Sequence, residues 1–230
     1  MTALVVLPGL DGTATLHAAF VSSVGPAFDS VVVVAYPPDQ PLDYPALEAL
    51  VRAELPPAAP FVLLGESFSG PVALSIAASP PPNLVGLVLS TTFAKFPAPL
   101  ASLLAAFARI APVRALPPFL LSWLLLGRWA TPQLESSLGD ALLAVRPAVL
   151  RFRATAAMRA DASAALGPIA VPVLCLRAIE DRLLSPAASR RILSAIRQCI
   201  VVDIEGPHLL LQAAPAACAR AVGDFARGLD

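Results

Sequence analysis

Six short runs of apolar residues punctuate the chain, at residues 4–7, 31–36, 61–64, 84–89, 171–176 and 200–204, each rich in Val, Leu or Ile. None alternates cleanly with polar positions. Runs of that length without alternation predict strands covered on both faces, as in a parallel sheet. The stretches between them carry a different period. Leu47, Leu50, Val51 and Leu55 recur three or four apart, and Ile192, Leu193 and Ile196 do the same after Ser185 and Pro186, which read as a cap and a first helical turn. Parallel neighbours need crossovers of this kind. The predicted architecture is α/β: an open, mostly parallel sheet with helices on both faces.

One connection breaks the rhythm. Residues 97–165 contain no strand-like run, only apolar helical patches interrupted by Pro99, Pro112, Pro117, Pro118, Pro132 and Pro147. Proline tends to end or kink a helix, so several short helices are expected rather than two long ones. A connection of about 70 residues is far beyond an ordinary loop. The expected division is therefore a core of residues 1–96 and 166–230 with a helical cap inserted at 97–165. The strongest apolar stretch there, residues 119–127, is bounded by Pro117, Pro118 and Arg128. It falls short of the roughly 18 residues that a membrane-spanning helix needs.

Composition narrows the classes. The 230 residues suit one large domain that buries a core without staples, and 57% are hydrophobic, with a mean hydropathy of +0.74. Met1 and Thr2 run straight into an apolar segment without the basic region of a secretory leader, so a cytoplasmic address is expected. Sixteen basic and sixteen acidic residues balance, which gives no reason to expect nucleic acid as a partner. The middle of the chain is more basic: Lys95, Arg109, Arg114, Arg128, Arg146, Arg151, Arg153 and Arg159 face only Glu135, Asp140 and Asp161. Cys175, Cys199 and Cys218 are widely spaced, lack metal-ligand spacing and read as small core residues.

Candidate chemistry begins at Gly65-Glu66-Ser67-Phe68-Ser69-Gly70, which lies between an apolar run and a helix-like segment. A serine at the tip of a strand-to-helix turn needs small neighbours two before and two after it, where side chains would collide with the adjoining strand and helix. Gly65 and Ser69 meet that demand, Ser69 standing where glycine is usual. A serine hydroxyl needs a base, and histidine is the usual one. Of the two histidines, His17 reads as a surface or helix-cap residue. His208 follows the last run in a Gly-Pro turn, at the strand end where α/β sheets bind ligands. The orienting acid is expected in the loop after the fifth run, Asp181 before Glu180, with Asp203 as a third choice. The glycine-rich turn Pro8-Gly9-Leu10-Asp11-Gly12-Thr13 offers Leu10 as a backbone donor to an oxyanion, beside the N–H of Phe68. It lacks the glycine spacing and the lysine of nucleotide-binding loops.

With serine, acid, histidine and glycine turn in that order, the chain resembles the α/β-hydrolase superfamily over nearly its full length. It looks most like small bacterial esterases and thioesterases with a short helical cap, such as the pimeloyl-carrier-protein methyl ester esterases. The resemblance implies Ser67 as nucleophile, Asp181 as acid, His208 as general base, Leu10 and Phe68 as oxyanion donors, and no cofactor or metal. Two departures stand out: Pro8-Gly9 replaces the common His-Gly, and the first strand here matches the family's third, leaving a trimmed sheet of about six strands. The implied reaction is hydrolysis of a small-molecule ester or thioester, free or carrier-bound, with Phe93, Phe96, Leu100, Leu104 and Phe107 as apolar substrate-binding residues. Acyl transfer, proton abstraction by the same triad and a non-catalytic binding module are the alternatives, and the oligomeric state is left open.

Overall fold

The computed structural model describes residues 2–96 and 117–229. Strands β1 (Ala3–Leu7), β2 (Ser30–Val33), β3 (Phe61–Glu66), β4 (Leu84–Ser90), β5 (Val173–Ala178) and β6 (Cys199–Ile204) form one sheet in the order β2-β1-β3-β4-β5-β6. Every neighbouring pair is parallel. All six apolar runs are strands, with bounds shifted most clearly in β2 and β5. β2 stops at Val33 because the chain then leaves the sheet to brace the glycine-rich turn, Tyr36 N donating to the Gly12 carbonyl at 2.8 Å. β5 begins at Val173 and continues to Ala178, which carries the chain into the acidic loop.

The missing alternation has a simple cause. Leu4, Val6, Val62, Leu64, Val88 and Leu174 face one side, whereas Val5, Leu7, Leu63, Leu87, Leu89 and Val173 face the other, and both sides are covered. The edge strands differ: Val32 on β2 and Ile200 on β6 are about half exposed.

The described helices are α1 (Ala18–Val24), α2 (Tyr44–Glu54), α3 (Gly70–Ala78), α4 (Pro118–Leu125), α5 (Pro132–Leu143), α6 (Pro147–Arg159), α7 (Pro186–Ala195), α8 (Leu210–Ala213) and α9 (Pro215–Arg227). Phe20, Leu211 and Val222 bring α1, α8 and α9 onto one face of the sheet; Leu47, Leu74 and Ile192 bring α2, α3 and α7 onto the other. Five helices open on proline, at Pro118, Pro132, Pro147, Pro186 and Pro215. The first helical position needs no N–H and suits the fixed φ of proline. These prolines therefore set where helices begin, and between β4 and β5 they yield the short α4, α5 and α6.

A satellite cluster joins those helices to the rest: Leu126, Leu138 and Ala141 pack with Leu16, and Leu209 lies against them. Lys95 and Asp161 pair as an isolated antiparallel bridge, with their side chains 2.6 Å apart. Cys175, Cys199 and Cys218 are free thiols, the first two lying 3.2 Å apart on β5 and β6. Burial pushes the Cys218 thiol up to about 12. Among the described residues no helix is long and apolar enough to cross a membrane, and no group of metal-ligating side chains gathers.

Candidate active site

The turn after β3 is tight because its backbone is forced. Ser67 has φ of 46°, left-handed for a residue with a side chain, a conformation that costs about 1–3 kcal/mol and that the surroundings must enforce. A Cβ at Gly65 would meet that of Ala73 at 2.7 Å, and one at Gly70 would lie 1.9 Å from Thr92 Oγ1. Thr92 uses that close approach to donate its hydroxyl to the Ser67 carbonyl. Gly70 thus supplies the space expected of position 69. Ser69 itself is fully buried, and its hydroxyl donates to the Pro8 carbonyl. With its one proton so used, Ser69 Oγ accepts from the Tyr36 hydroxyl at 2.7 Å.

His208 sits on the loop after β6, with Nε2 2.8 Å from Ser67 Oγ and Nδ1 2.9 Å from Asp181 Oδ2. The other Asp181 oxygen accepts the amides of Leu183 and Leu184, both at 2.8 Å. A carboxylate fixed in this way accepts a hydrogen bond from Nδ1–H and leaves Nε2 free to accept from serine. The two rival acids are engaged elsewhere. Glu180 accepts from Trp129 Nε1 at 3.0 Å and Arg128 at 2.8 Å, which together hold its carboxyl below the usual range. Asp203 is paired with Arg177 through two bonds of 2.7 Å.

The proposed oxyanion donors lie on braced backbone. The Phe68 ring stacks on Tyr44 at 5.1 Å, and the Tyr44 hydroxyl donates to the Phe68 carbonyl at 3.0 Å. In the glycine-rich turn, Gly12 has φ of 69° and its N–H closes onto the Gly9 carbonyl at 3.0 Å. Arg153 reaches this turn from α6, donating from Nη1 to the carbonyls of Leu10 at 3.2 Å and Asp11 at 2.6 Å, and from Nη2 to that of Pro37 at 2.9 Å. Sequence reasoning missed Arg153, Tyr36 and Thr92 as site supports and read Ser69 only as a small neighbour, not as a hydrogen-bonded one. For Arg153 a signal existed: Val149, Leu150, Arg153 and Ala157 share the buried face of α6 at helical spacing.

His17 corrects an expectation. It stands at the N-cap position of α1 without a side-chain capping bond, but it is fully buried rather than on the surface, with Nε2 2.8 Å from Glu66 Oε2 and Gln212 Nε2 3.4 Å from the same oxygen. The turn at residues 15–17 directs both Leu16 and His17 inward. Burial works against the charge on each partner, yet their mutual attraction outweighs it, holding His17 above and Glu66 below the ordinary value. Asp11, close enough to feel this pair, is raised by its own burial, partly opposed by its bonds from Thr13.

Of the apolar residues assigned to substrate, Phe93 is buried and meets the partly buried Phe96 edge-on at 5.3 Å. Leu100, Leu104 and Phe107 lie outside the described residues. A cavity of about 270 Å³ lies beside Asp181, lined also by Thr91, Thr92, Leu184 and Ile192 among others.

A model of the family described as serine aminopeptidase, S33, matches residues 43–210, well over half the chain and inclusive of Ser67, Asp181 and His208. No curated protein sequence matches significantly. Solved structures share the fold at low identity. The enol-lactonase of Burkholderia xenovorans LB400 superposes with a TM-score of 0.82 at 19% identity, over 98% of this chain and 91% of its own. A thermophilic esterase of Thermogutta terrifontis gives 0.81 at 21%, over 100% and 90%. MenH of S. aureus gives 0.78 at 16%, over 99% and 94%. The six-stranded parallel sheet, the strand-to-helix turn at Ser67 and the family match together make this chain an α/β-hydrolase enzyme that belongs to the serine aminopeptidase S33 family.

Proposed function

We propose that the protein hydrolyses carboxylic esters or thioesters bearing an apolar acyl group, through an acyl-enzyme on Ser67. The observation that supports this reading is the continuous line from Ser67 Oγ through His208 to Asp181, at 2.8 and 2.9 Å. As Ser67 Oγ attacks the carbonyl carbon, its proton passes to His208 Nε2 and the carbonyl electron pair moves onto oxygen, facing the N–H groups of Leu10 and Phe68. Collapse breaks the bond to the alcohol or thiol, which leaves with the proton from His208. Water then attacks the acyl carbon with His208 again as base, releasing the acid and restoring Ser67.

Residues 97–165 act in this reading as a helical cap on a core of 1–96 and 166–230, and Phe93, Phe96, Leu100, Leu104 and Phe107 as the apolar wall for the acyl group. An amino-terminal substrate, suggested by the family's description, would need a carboxylate to receive its ammonium group. Glu180, Asp203, Glu66 and Asp11 are already held by Arg128, Arg177, His17 and Thr13, which favours a neutral acyl group. The test is a hydrolysis series of p-nitrophenyl acyl esters of increasing length, matching thioesters and aminoacyl p-nitroanilides. Wild type should cleave the esters, and Ser67→Ala should lose at least about 100-fold in rate. Equal rates in both proteins, or preference for the anilides, would overturn the reading.

A further inference from the structure

The glycine-rich turn is held by every carbonyl from residue 8 to residue 11. Pro8 O accepts from Ser69 Oγ, Gly9 O from the Gly12 amide, and Leu10 O and Asp11 O from Arg153 Nη1. Four successive peptide planes are thereby fixed. The Gly9–Leu10 plane carries the Leu10 N–H, and because its carbonyl is tied to Gly12, that N–H points away from the turn. It donates to no acceptor among the described residues.

Arg153 is the one member of this set that comes from outside the sheet core, from α6 between β4 and β5. It is 1% exposed and forms no ion pair among the described residues; its guanidinium lies 5.6 Å from the Tyr36 ring centre and is otherwise met by the three carbonyls. Nε has no partner among the described residues, so the charge depends on the carbonyls met by Nη1 and Nη2, and releasing them would leave it unsolvated. Room for it exists because residue 12 is glycine: a Cβ there would lie 2.4 Å from Nη1.

We propose that Arg153 is a positioning residue that sets the Leu10 N–H for the oxyanion and so ties the helices between β4 and β5 to transition-state stabilisation. This rests on the acyl-transfer reading above, with Leu10 as an oxyanion donor. Arginine suits the task where lysine does not, because its planar fork reaches several carbonyls at once, whereas an ammonium group is a single point.

The experiment compares wild type, Arg153→Met and Arg153→Lys, each normalised to Ser67 sites titrated with a fluorophosphonate. Per titrated site, Arg153→Met should lose about 100-fold in kcat on a p-nitrophenyl ester with KM little changed, as for a misplaced oxyanion donor. Affinity for a trifluoromethyl ketone, whose adduct with Ser67 carries the oxyanion, should fall in parallel. Arg153→Lys should lose about tenfold in both, lying between the two. A kcat per titrated site within about twofold of wild type, in Arg153→Met or, should that variant not fold, in Arg153→Lys, overturns the proposal, as the residue then only stabilises the fold. Loss of KM alone, with ketone affinity intact, overturns it as well. Wild type that neither hydrolyses the ester nor takes up fluorophosphonate would instead remove the acyl-transfer reading, and this proposal with it.

Discussion

The molecule holds two histidine–carboxylate pairs of nearly equal length, His208 with Asp181 at 2.9 Å and His17 with Glu66 at 2.8 Å. Both imidazoles are buried. They differ in what their free ends meet. The second nitrogen of His208 faces Ser67 Oγ and the second oxygen of Asp181 takes two backbone amides, whereas His17 Nδ1 and Glu66 Oε1 have no partner among the described residues. A carboxylate with both oxygens engaged fixes the tautomer and orientation of its imidazole, which is what a base needs. A pair with open ends has no such fixed role; His17 is held above and Glu66 below its ordinary value by their mutual attraction, and removing one member of such a buried pair leaves the other uncompensated. Pair distance alone separates nothing; the contacts beyond it do.

The widest separation between the pairs should appear when each histidine is replaced. His208→Leu should cut ester hydrolysis by about 10⁴- to 10⁶-fold, with Ser67→Ala similar and the double variant no worse, because the two act as one unit. His17→Leu should instead destabilise the fold by about 3–5 kcal/mol in chemical denaturation while the folded fraction keeps its rate. Replacing both partners, His17→Leu with Glu66→Met, should recover most of that stability, as an apolar pair commonly does. A His17→Leu protein with native stability but a collapsed kcat would erase the distinction between the pairs.

Most of this was readable in the chain in unequal parts. The strands announced themselves because both sheet faces are apolar; turn residues and strand ends made His208 and Asp181 candidates, and the structure sets their side chains 2.9 Å apart. The burial of His17 was missed because it follows a glycine turn in a short segment too irregular to show which side faces inward. Ser69 was taken as a tolerated substitute for glycine, since nothing in the sequence brings Pro8 and Tyr36 to it from elsewhere in the chain. Arg153 was counted only as one of the basic residues in the middle of the chain, although its spacing from Val149 and Ala157 put it on an inward face.

Ser69 offers a smaller effect on the reactive side. Ser69→Ala removes the donor to Pro8 and the acceptor of Tyr36, leaving two buried groups unpaired, and should cost about 1–3 kcal/mol in stability. Tyr36→Phe removes only one of these bonds and should cost about 0.5–1.5 kcal/mol. If Ser69→Ala matches wild type in denaturation, the hydroxyl chain does not brace the turn.

The smallest effect is a pH dependence confined to the buried pair. His17, raised in the fold from 6.5, contributes stability that is full below that value and is lost as pH rises through its folded one. Glu66, lowered from 4.5, contributes stability that is full above that value and is lost as pH falls through its folded one. The pair therefore contributes fully between about 4.5 and 6.5 and less on either side. Asp11, raised from 3.8 by burial, adds a loss that begins at lower pH and is common to both proteins compared, so the difference between them reports the pair. Thermal midpoints should decline from pH 6.5 upward more steeply in wild type than in the His17→Leu/Glu66→Met protein. An equal decline in both proteins would assign the step to another group and make the His17–Glu66 pair neutral rather than ionic.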